Sequence, residues 1–193
     1  MKSKLTNLVV RKYDDRRDRR DILAIERTCM WRPWDDADFE GTMQDPFNYT
    51  LVAEVKNGSS TKIVGYANFD LTDPSLCSDH GSLRHIYLYR IAVLPAYRRA
   101  GIGRQLIDEI KEMLSHQGVP DLQLAVDEEV RGGGKMKACR FFTACGMTSP
   151  VDFEDPVSQC DLDSLLVTFT FTLPGGPVYK NRIAKYFHSE QQN

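Results

Sequence analysis

The sequence lacks several features that would assign it to a common class of protein. No apolar run is long enough to cross a bilayer, and the first ten residues, MKSKLTNLVV, lack the apolar core and cleavage site of a secretion signal. There is no internal repeat or low-complexity segment, and a formal net charge of −2 gives no overall attraction to nucleic acid or anionic lipid. We therefore expect a cytoplasmic protein that binds neither nucleic acid nor a membrane. Monomer and homodimer both stay open.

The pattern of the cysteines argues against a zinc site. They are odd in number and widely spaced, and they form no CxxC pair and have no histidine-rich partner segment, so nothing here is typical of a zinc site. We expect free, buried thiols in a reducing compartment and no bound metal. The five are Cys29, Cys77, Cys139, Cys145 and Cys160.

The most informative stretch is residues 84–114, where a strand, an arginine-rich loop and a helix follow one another. Residues 86–93 are aromatic or apolar apart from Arg90, as expected of a strand packed on both faces, and Pro95 ends it because proline has no N–H to donate. From Ile102 onward the apolar residues recur with a helical period. The predicted apolar face holds Leu106, Ile107, Ile110, Met113 and Leu114, and the opposite face holds Arg104, Asp108, Lys111 and Ser115.

The loop Arg98-Arg99-Ala100-Gly101-Ile102-Gly103 predicts an anion site. Two glycines at this spacing let the backbone approach a ligand closely and adopt torsions that a Cβ would block. The first N–H groups of a helix have no partner within it, and the helix dipole adds positive potential. Because Arg98, Arg99 and Arg104 add full charges, the loop is suited to a pyrophosphate.

Spacing separates this loop from two other phosphate loops. GxxxxGK followed by Ser or Thr is absent, and so is GxGxxG with an acidic residue about twenty positions later. The stretch IAVLPAYRRAGIGRQLI instead resembles the coenzyme A signature of the GCN5-related N-acetyltransferases (GNAT), Arg/Gln-x-x-Gly-x-Gly/Ala after a strand. The resemblance implies an N-acetyltransferase with acetyl-CoA as co-substrate and an amine as acceptor.

The resemblance also implies roles for individual residues. The backbone of Ile91, Ala92 and Val93 would pair with the pantetheine arm, and the Val93 N–H would polarise the thioester carbonyl. The amides from Arg99 to Arg104, with the Arg98 side chain, would hold the pyrophosphate. The segment KMKACRFFTACGM resembles a family helix, predicted at 135–145. Its matching positions are Ala138, Phe141, Phe142, Gly146 and Met147, of which Phe142 is the expected cofactor contact.

The remaining segments fit a mixed α/β fold. Beyond 86–93, strands are predicted at 5–11, 48–56, 62–71, 121–126 and in SLLVTFTFTLP, with a hairpin turn at Asn57-Gly58-Ser59-Ser60. The resemblance implies the GNAT fold over residues 1–173, a splayed, mostly antiparallel sheet with helices on both faces. The splay is expected between the central strand and the strand at 121–126. Residues 174–193 are a tail for which we expect a short docking helix.

A charge-dense run, DDRRDRRD, follows the first strand. Its signs alternate, so it is interpreted as the solvated start of a helix rather than as a nucleic-acid site. Asp35 is predicted to be the N-cap of a second short helix. The apolar side of the first helix is predicted to be Ile22, Leu23, Ala24 and Ile25.

The segment between these helices favours one branch of the family. IERTCMWRPWDDADF is similar to the IE…PW…F pattern of the ribosomal-protein-alanine and other protein N-terminal acetyltransferases. This similarity favours a protein or peptide N-terminal amine as acceptor, and it makes Trp31 and Trp34 candidate substrate contacts. A small amine such as an antibiotic, a polyamine or an amino acid is the alternative acceptor.

Both side chains that usually carry protons in that branch are missing. The place of its strand glutamate is held by Ala125, and the place of its helix tyrosine is held by Phe142, which has no proton to give. Tyr87 matches a tyrosine that some N-terminal acetyltransferases carry in this strand, and we assign it to contacting the amine and ordering water. The reserve candidates are Tyr89, expected on the same face of the strand and a candidate substrate contact, Asp127 and Glu128.

Two other hypotheses about the chemistry stay open. An amine that deprotonates in solution needs no dedicated base, and proximity then supplies most of the acceleration. Alternatively, the fold has been retained for binding or sensing acyl-CoA without turnover. The absence of both usual proton carriers motivates this hypothesis of binding without turnover.

Overall fold

The structure is a computed structural model that describes residues 7–30, 32–71, 86–116, 121–126, 140–147 and 167–172. Its strands are β1 (Leu8–Lys12), β2 (Asn48–Asn57), β3 (Ser60–Leu71), β4 (Ile86–Val93), β5 (Asp121–Val126) and β6 (Val167–Thr172). Its helices are α1 (Asp15–Cys29), α2 (Asp36–Met43) and α3 (Ile102–His116), with a 3₁₀ turn at Pro95–Tyr97. Residues 140–144 form a further helical segment.

The sheet is divided where the splay was expected. Strands β1 to β4 form one antiparallel sheet in the order β1-β2-β3-β4, and β5 and β6 form a second antiparallel pair. Strands β4 and β5 lie next to each other but share no ladder. The β2–β3 hairpin turns on Gly58 and Ser59, and Gly58 has a φ of +60°, the left-handed torsion that glycine accepts without a Cβ clash.

Helices cover both faces of the four-stranded sheet. On one face Ile22 and Ile25 of α1 and Phe39 of α2 pack against Val52 and Tyr66. On the other face α3 packs against the alternate side chains of the same strands. The predicted apolar face of α3 is confirmed for the buried residues Leu106, Ile107, Ile110 and Met113. Mixed α/β architecture with helices on both faces is therefore confirmed.

The start of α1 is less solvated than its charge pattern predicts. Asp14 is the N-cap, and Asp18, one turn later, is only 2% exposed. The carboxylate of Asp18 accepts hydrogen bonds from two guanidinium nitrogens of Arg11, at 2.6 and 2.8 Å, and Arg11 also bonds to Glu54. The prediction for Ala24 was wrong: it is exposed, because the helix turns it away from the sheet.

The predicted solvent face of α3 is not exposed at every position. Lys111 was predicted on the solvent face, but it is buried and its Nζ donates to the carbonyl of Cys145. Arg104 similarly donates to the carbonyl of Ala144. These carbonyls close a helical segment that ends at Gly146, where φ is +81° and the Met147 N–H bonds to the Phe142 carbonyl at 3.1 Å. The two basic side chains therefore satisfy the end of that segment.

Asp35 caps α2 as predicted, with its side chain accepting from the Asp38 N–H at 2.8 Å. Of the cysteines, Cys29 and Cys145 are free thiols and the other three lie outside the described residues. Other predictions that fall outside them concern Trp31, Asp127, Glu128 and the tail 174–193. In the described parts of the chain, no helix combines the length and apolarity needed to span a membrane.

Candidate functional site

The end of β4 presents part of its backbone to the gap beside β5. The Leu94 N–H donates to the Val64 carbonyl at 2.9 Å, and the next pair of the ladder is Gly65 with Val93. Bonded and non-bonded pairs alternate in an antiparallel ladder, so the N–H and C=O of Val93 point away from β3. The same holds for Ile91, whereas Ala92 turns its polar groups toward Tyr66 in β3. Two of the three strand residues predicted to pair with pantetheine thus have backbone groups that point to the gap.

The outward carbonyl of Val93 is already engaged. The Nε of Arg98 donates to it at 2.8 Å, and the thiol of Cys29 lies 3.6 Å from it. Burial raises the pKa of Cys29, while the neighbouring Arg98 opposes the rise. Arg98 is thereby tied to the strand end, so its charge is held at the junction between β4 and the loop.

The loop that follows has the torsions of an anion cradle. Arg99 has a φ of +65° and Gly101 a φ of +87°, so left-handed residues interrupt the approach to α3. The first helical bond runs from the Gln105 N–H to the Gly101 carbonyl at 3.0 Å. Among the described residues, the N–H groups of 101–104 have no hydrogen-bond acceptor. They are available to an anion at the positive end of the helix dipole.

Gly103 is packed closely against the ring of Phe141. A Cβ built at this position would lie 3.0 Å from Cε2 and 3.1 Å from Cζ of Phe141. The neighbouring Phe142 is 2% exposed and packs with the α3 core, its ring centre 5.1 Å from that of Phe141. Both aromatic residues brace the start of α3. Phe142 thus lies in the core beneath the loop.

A β-bulge in β4 lies at Tyr89, one of the two candidate tyrosines. Arg90 pairs with Asn68 and Leu88 pairs with Phe69, so Tyr89 is an extra residue in β4. The prediction that Tyr87 and Tyr89 share a face concerns the side chain of Tyr87, which lies outside what the structure describes. Tyr89 is 49% exposed and its hydroxyl donates to Asp70 at 2.6 Å. Tyr87 itself pairs with Asp70 in the ladder.

Beneath Trp34 lies a buried carboxylate, Glu26, which stands in the IE…PW…F pattern but for which no role was predicted. Glu26 is fully buried; its Oε2 accepts from the Trp34 N–H at 2.8 Å and its Oε1 accepts from the Tyr66 hydroxyl. Burial raises the pKa of Glu26, although the Trp34 N–H and the charge of Arg90 oppose the rise. The available signals were its place in that pattern and its position four residues after Ile22, on the apolar face of α1.

Arg90 completes this cluster from β4. Its guanidinium carbon lies 4.9 Å from the centre of the Trp34 ring, and Nη2 donates to the Arg32 carbonyl at 3.2 Å. Trp34 is half-buried and its ring centre is 6.4 Å from that of the buried Phe39. The segment between α1 and α2 is therefore attached to both α1 and the β4 strand.

Comparison with known proteins agrees with this geometry. The model of the acetyltransferase (GNAT) family matches residues 16–147, most of the chain. The chain belongs to the GNAT family. The matched range takes in α1 from its second residue, α2, strands β2 to β5, the glycine loop with α3, and the helical segment that contains Phe142. The matched range also includes the unpaired amides of 101–104.

One similar sequence is an acetyltransferase of the mouse. Thialysine N-epsilon-acetyltransferase of Mus musculus is 30% identical over 91 residues, which are 45% of this chain and 51% of that protein. The match thus spans about half the length of the curated relative.

Two solved structures share the GNAT fold. The ribosomal-protein-S18-alanine N-acetyltransferase of Escherichia coli has a TM-score of 0.58 at 19% identity, covering 88% of this chain and 94% of that one. Ard1 of Thermoplasma volcanium has a TM-score of 0.62 at 16% identity, covering 88% and 99%. At these identities the likeness establishes the fold alone.

Proposed function

We propose that this GNAT protein transfers the acetyl group of acetyl-CoA to the N-terminal amine of a protein or peptide, by direct attack within a ternary complex. The observation that carries the coenzyme A part is the run of unpartnered N–H groups at 101–104, adjoining a strand edge at Ile91 and Val93. Residues 94–100 connect these two features, and one extended ligand would occupy both. Family membership supports acetyl-CoA as that ligand.

The chain's own groups suffice for most of the reaction. The pyrophosphate lies on the 101–104 amides, and the pantetheine arm pairs with the outward backbone of β4. The Val93 N–H donates to the thioester oxygen, where negative charge develops in the transition state. The amine nitrogen forms the new C–N bond as the C–S bond breaks. One proton leaves the nitrogen and one proton is taken up by the departing thiolate, so no net proton is consumed.

Proton transfer is the step with the fewest candidates. Phe142 carries no proton and is buried in the core, so it does not protonate the thiolate. We assign Tyr87 to contact the amine and to order a water that relays its proton. Since the cofactor holds the thioester in place, proximity supplies most of the acceleration and a weak relay is sufficient.

The peptide preference rests on the side of the site that faces α1. Trp34 is held over β4 by Glu26 and Arg90, and the half-exposed Tyr89 lies at the bulge of the same strand. Aromatic side chains fixed beside a strand suit an extended acceptor whose amine reaches the thioester. A second candidate is a small cationic amine. It is favoured by the similarity to thialysine N-epsilon-acetyltransferase.

An acetyl-CoA consumption assay tests these proposals. The panel contains peptides that differ in their N-terminal residue, together with thialysine, lysine and a polyamine. We expect turnover with peptides at a lower KM than with any small amine. Tyr87→Phe is expected to lower kcat and leave the KM for acetyl-CoA unchanged, whereas Tyr49→Phe, a control tyrosine on β2, keeps both constants.

Each other outcome selects a different conclusion. Preference for thialysine or a polyamine would replace the peptide by a small amine. Unchanged turnover in the Tyr87 variant would remove that residue from the mechanism while leaving the transferase intact. Tight binding of acetyl-CoA without turnover of any amine would support a binding or sensing module instead.

A further inference from the structure

The segment 32–34 between α1 and α2 is fixed by polar groups that do not belong to it. Glu26 of α1 receives the Trp34 N–H at 2.8 Å, and Arg90 of β4 donates to the Arg32 carbonyl at 3.2 Å. The Arg90 guanidinium also lies against the Trp34 ring. Two side chains, Glu26 and Arg90, therefore hold this short segment at the Trp34 N–H, the Arg32 carbonyl and the Trp34 ring.

Burial makes these contacts costly to lose. Glu26 and Tyr66 have no exposed surface, and the Tyr66 hydroxyl donates to the same carboxylate. A buried carboxylate without hydrogen bonds is strongly unfavourable, so Glu26 keeps its position only while its donors stay with it. Because one of those donors is the Trp34 N–H, Glu26 fixes the loop as much as the loop satisfies Glu26.

Arg90 is the second side chain that holds the 32–34 segment. The Nε of Arg90 is buried and has no acceptor among the described residues. Buried polar atoms are nearly always paired, so holding this guanidinium beneath Trp34 has a cost that packing alone does not require. An apolar side chain would pack in that place without the cost. The arginine is explained if its charge and planar shape are needed to hold Trp34 and the Arg32 carbonyl together.

We propose that Glu26 and Arg90 are positioning residues that hold the 32–34 segment where it binds a peptide acceptor. The inference rests on the proposed function for its substrate, but not for its geometry. It assigns acceptor affinity, rather than coenzyme A affinity or the chemical step, to a carboxylate on α1 and to the arginine that follows the bulge in β4. The cofactor loop follows the carboxyl end of β4, and none of these contacts involves residues 98–104.

Steady-state kinetics on the full chain tests the assignment. Glu26→Leu keeps the bulk but removes both acceptor oxygens. We expect it to raise the KM for the best peptide about tenfold, as loss of a hydrogen bond to a charged group predicts. The KM for acetyl-CoA and kcat should stay at the wild-type values. Glu26→Gln retains an oxygen for the Trp34 N–H and should restore most of the peptide affinity.

Tryptophan fluorescence supplies a readout that needs no activity. The chain has two tryptophans, so Trp31→Phe leaves Trp34 as the only one. In that background Glu26→Leu should move the emission to longer wavelength and increase quenching by acrylamide, because the indole is released to solvent. Glu26→Gln should behave like the parent, and Tyr66→Phe should show the same changes to a smaller extent.

Glu54→Leu is the matched control. Glu54 is also a buried carboxylate, 5% exposed, but it is bonded to Arg11 and not to the 32–34 segment. It should lower stability without changing the peptide KM or the Trp34 emission. Wild-type fluorescence and peptide KM in Glu26→Leu would overturn the proposal, and so would equal changes in the Glu54 variant.

Failure of the proposed function would look different. A wild-type protein that acetylates no peptide would reject that function, while the fluorescence series would still decide whether Glu26 positions Trp34. Should Glu26→Leu not fold, Tyr66→Phe carries the test, because it removes one hydroxyl from an otherwise unchanged ring. Unaltered Trp34 emission and peptide KM in that variant would then count against the proposal.

Discussion

Gly103 is where the glycine loop has the least room. A Cβ there would meet the ring of Phe141 at 3.0 Å, so Gly103→Ala must displace either the ring or the start of α3. Overpacking of this kind costs about 1–3 kcal/mol. We expect the variant to bind coenzyme A about tenfold more weakly by titration calorimetry, since the amides that hold the pyrophosphate move with the helix start.

Two further variants separate crowding from the loss of a glycine. Phe141→Leu removes the ring atoms that the new methyl group would meet, so the double variant should recover much of the affinity. Gly41→Ala lies in α2 with no atom within 4 Å of the new Cβ and should leave coenzyme A binding unchanged. An affinity loss in the double variant equal to that of Gly103→Ala alone would show that the contact with Phe141 is not the cause.

Glu26 also makes a prediction about pH. Burial raises its pKa in the folded state, with the Trp34 N–H and Arg90 acting in the opposite direction. Because the folded protein then binds this proton more tightly than the unfolded chain, the stabilisation is complete below the unfolded pKa of about 4.3 and is lost as the pH rises through the raised folded value. Glu26→Gln does not titrate. The free energy of unfolding of wild type minus that of the variant should therefore fall as the pH rises above about 4.

Urea denaturation at a series of pH values measures that difference. A difference that is constant from pH 4 to 8, or that grows with pH, would contradict a raised pKa at Glu26.

At the scale of elements, Asp18 joins β1, α1 and β2 and has the opposite pH dependence. Burial disfavours its charged form, but hydrogen bonds from Arg11 and from the Asp14 N–H outweigh this and lower its pKa. Its stabilisation is therefore present above the unfolded pKa and is lost as the pH falls through the lowered folded value. Asp18→Ala should cost about 3 kcal/mol at neutral pH, as removal of one partner from a buried ion pair does.

Asp15 is the control on the same helix. It is exposed, lies 3.8 Å from Arg19 as an i,i+4 pair and accepts a hydrogen bond from the Tyr13 hydroxyl at 2.7 Å, so Asp15→Ala should cost about 1 kcal/mol or less. Chemical denaturation measures both variants. Similar losses in the free energy of unfolding for Asp15→Ala and Asp18→Ala would mean that the negative charges of the first turn stabilise the helix in general, and not through the ion pair of Asp18 with Arg11.

Elements whose pattern is local were predictable from sequence. The apolar period located α3, and the Asn57-Gly58 turn located the β2–β3 hairpin, because both depend on residues a few positions apart. The bulge at Tyr89 was not predictable. An extra residue in β4 is defined by its register against β3, about twenty residues earlier, and the strand's own sequence, aromatic or apolar apart from Arg90, contains no sign of it.

The same reasoning separates the two parts of the candidate site. The cofactor loop was predictable because its glycines and the helix start adjoin in sequence. Glu26 was missed because its burial depends on Tyr66 and Trp34, and Lys111 was misplaced because it closes a helical segment more than thirty residues away. A charged side chain is solvated by default, and only a distant partner makes its burial favourable.

For the whole molecule, a bound cofactor should stabilise the fold through both the loop and the β4 edge. A ligand at a hundred times its Kd adds about 2.7 kcal/mol, which raises the Tm of a chain of this size by about 5–10 °C. Coenzyme A should give this shift in differential scanning fluorimetry. Pantetheine at the same concentration should give little, because it can pair with the strand but has no pyrophosphate for the 101–104 amides. Equal shifts from the two ligands, or none from coenzyme A, would mean that these amides do not hold the diphosphate on which the proposed function depends.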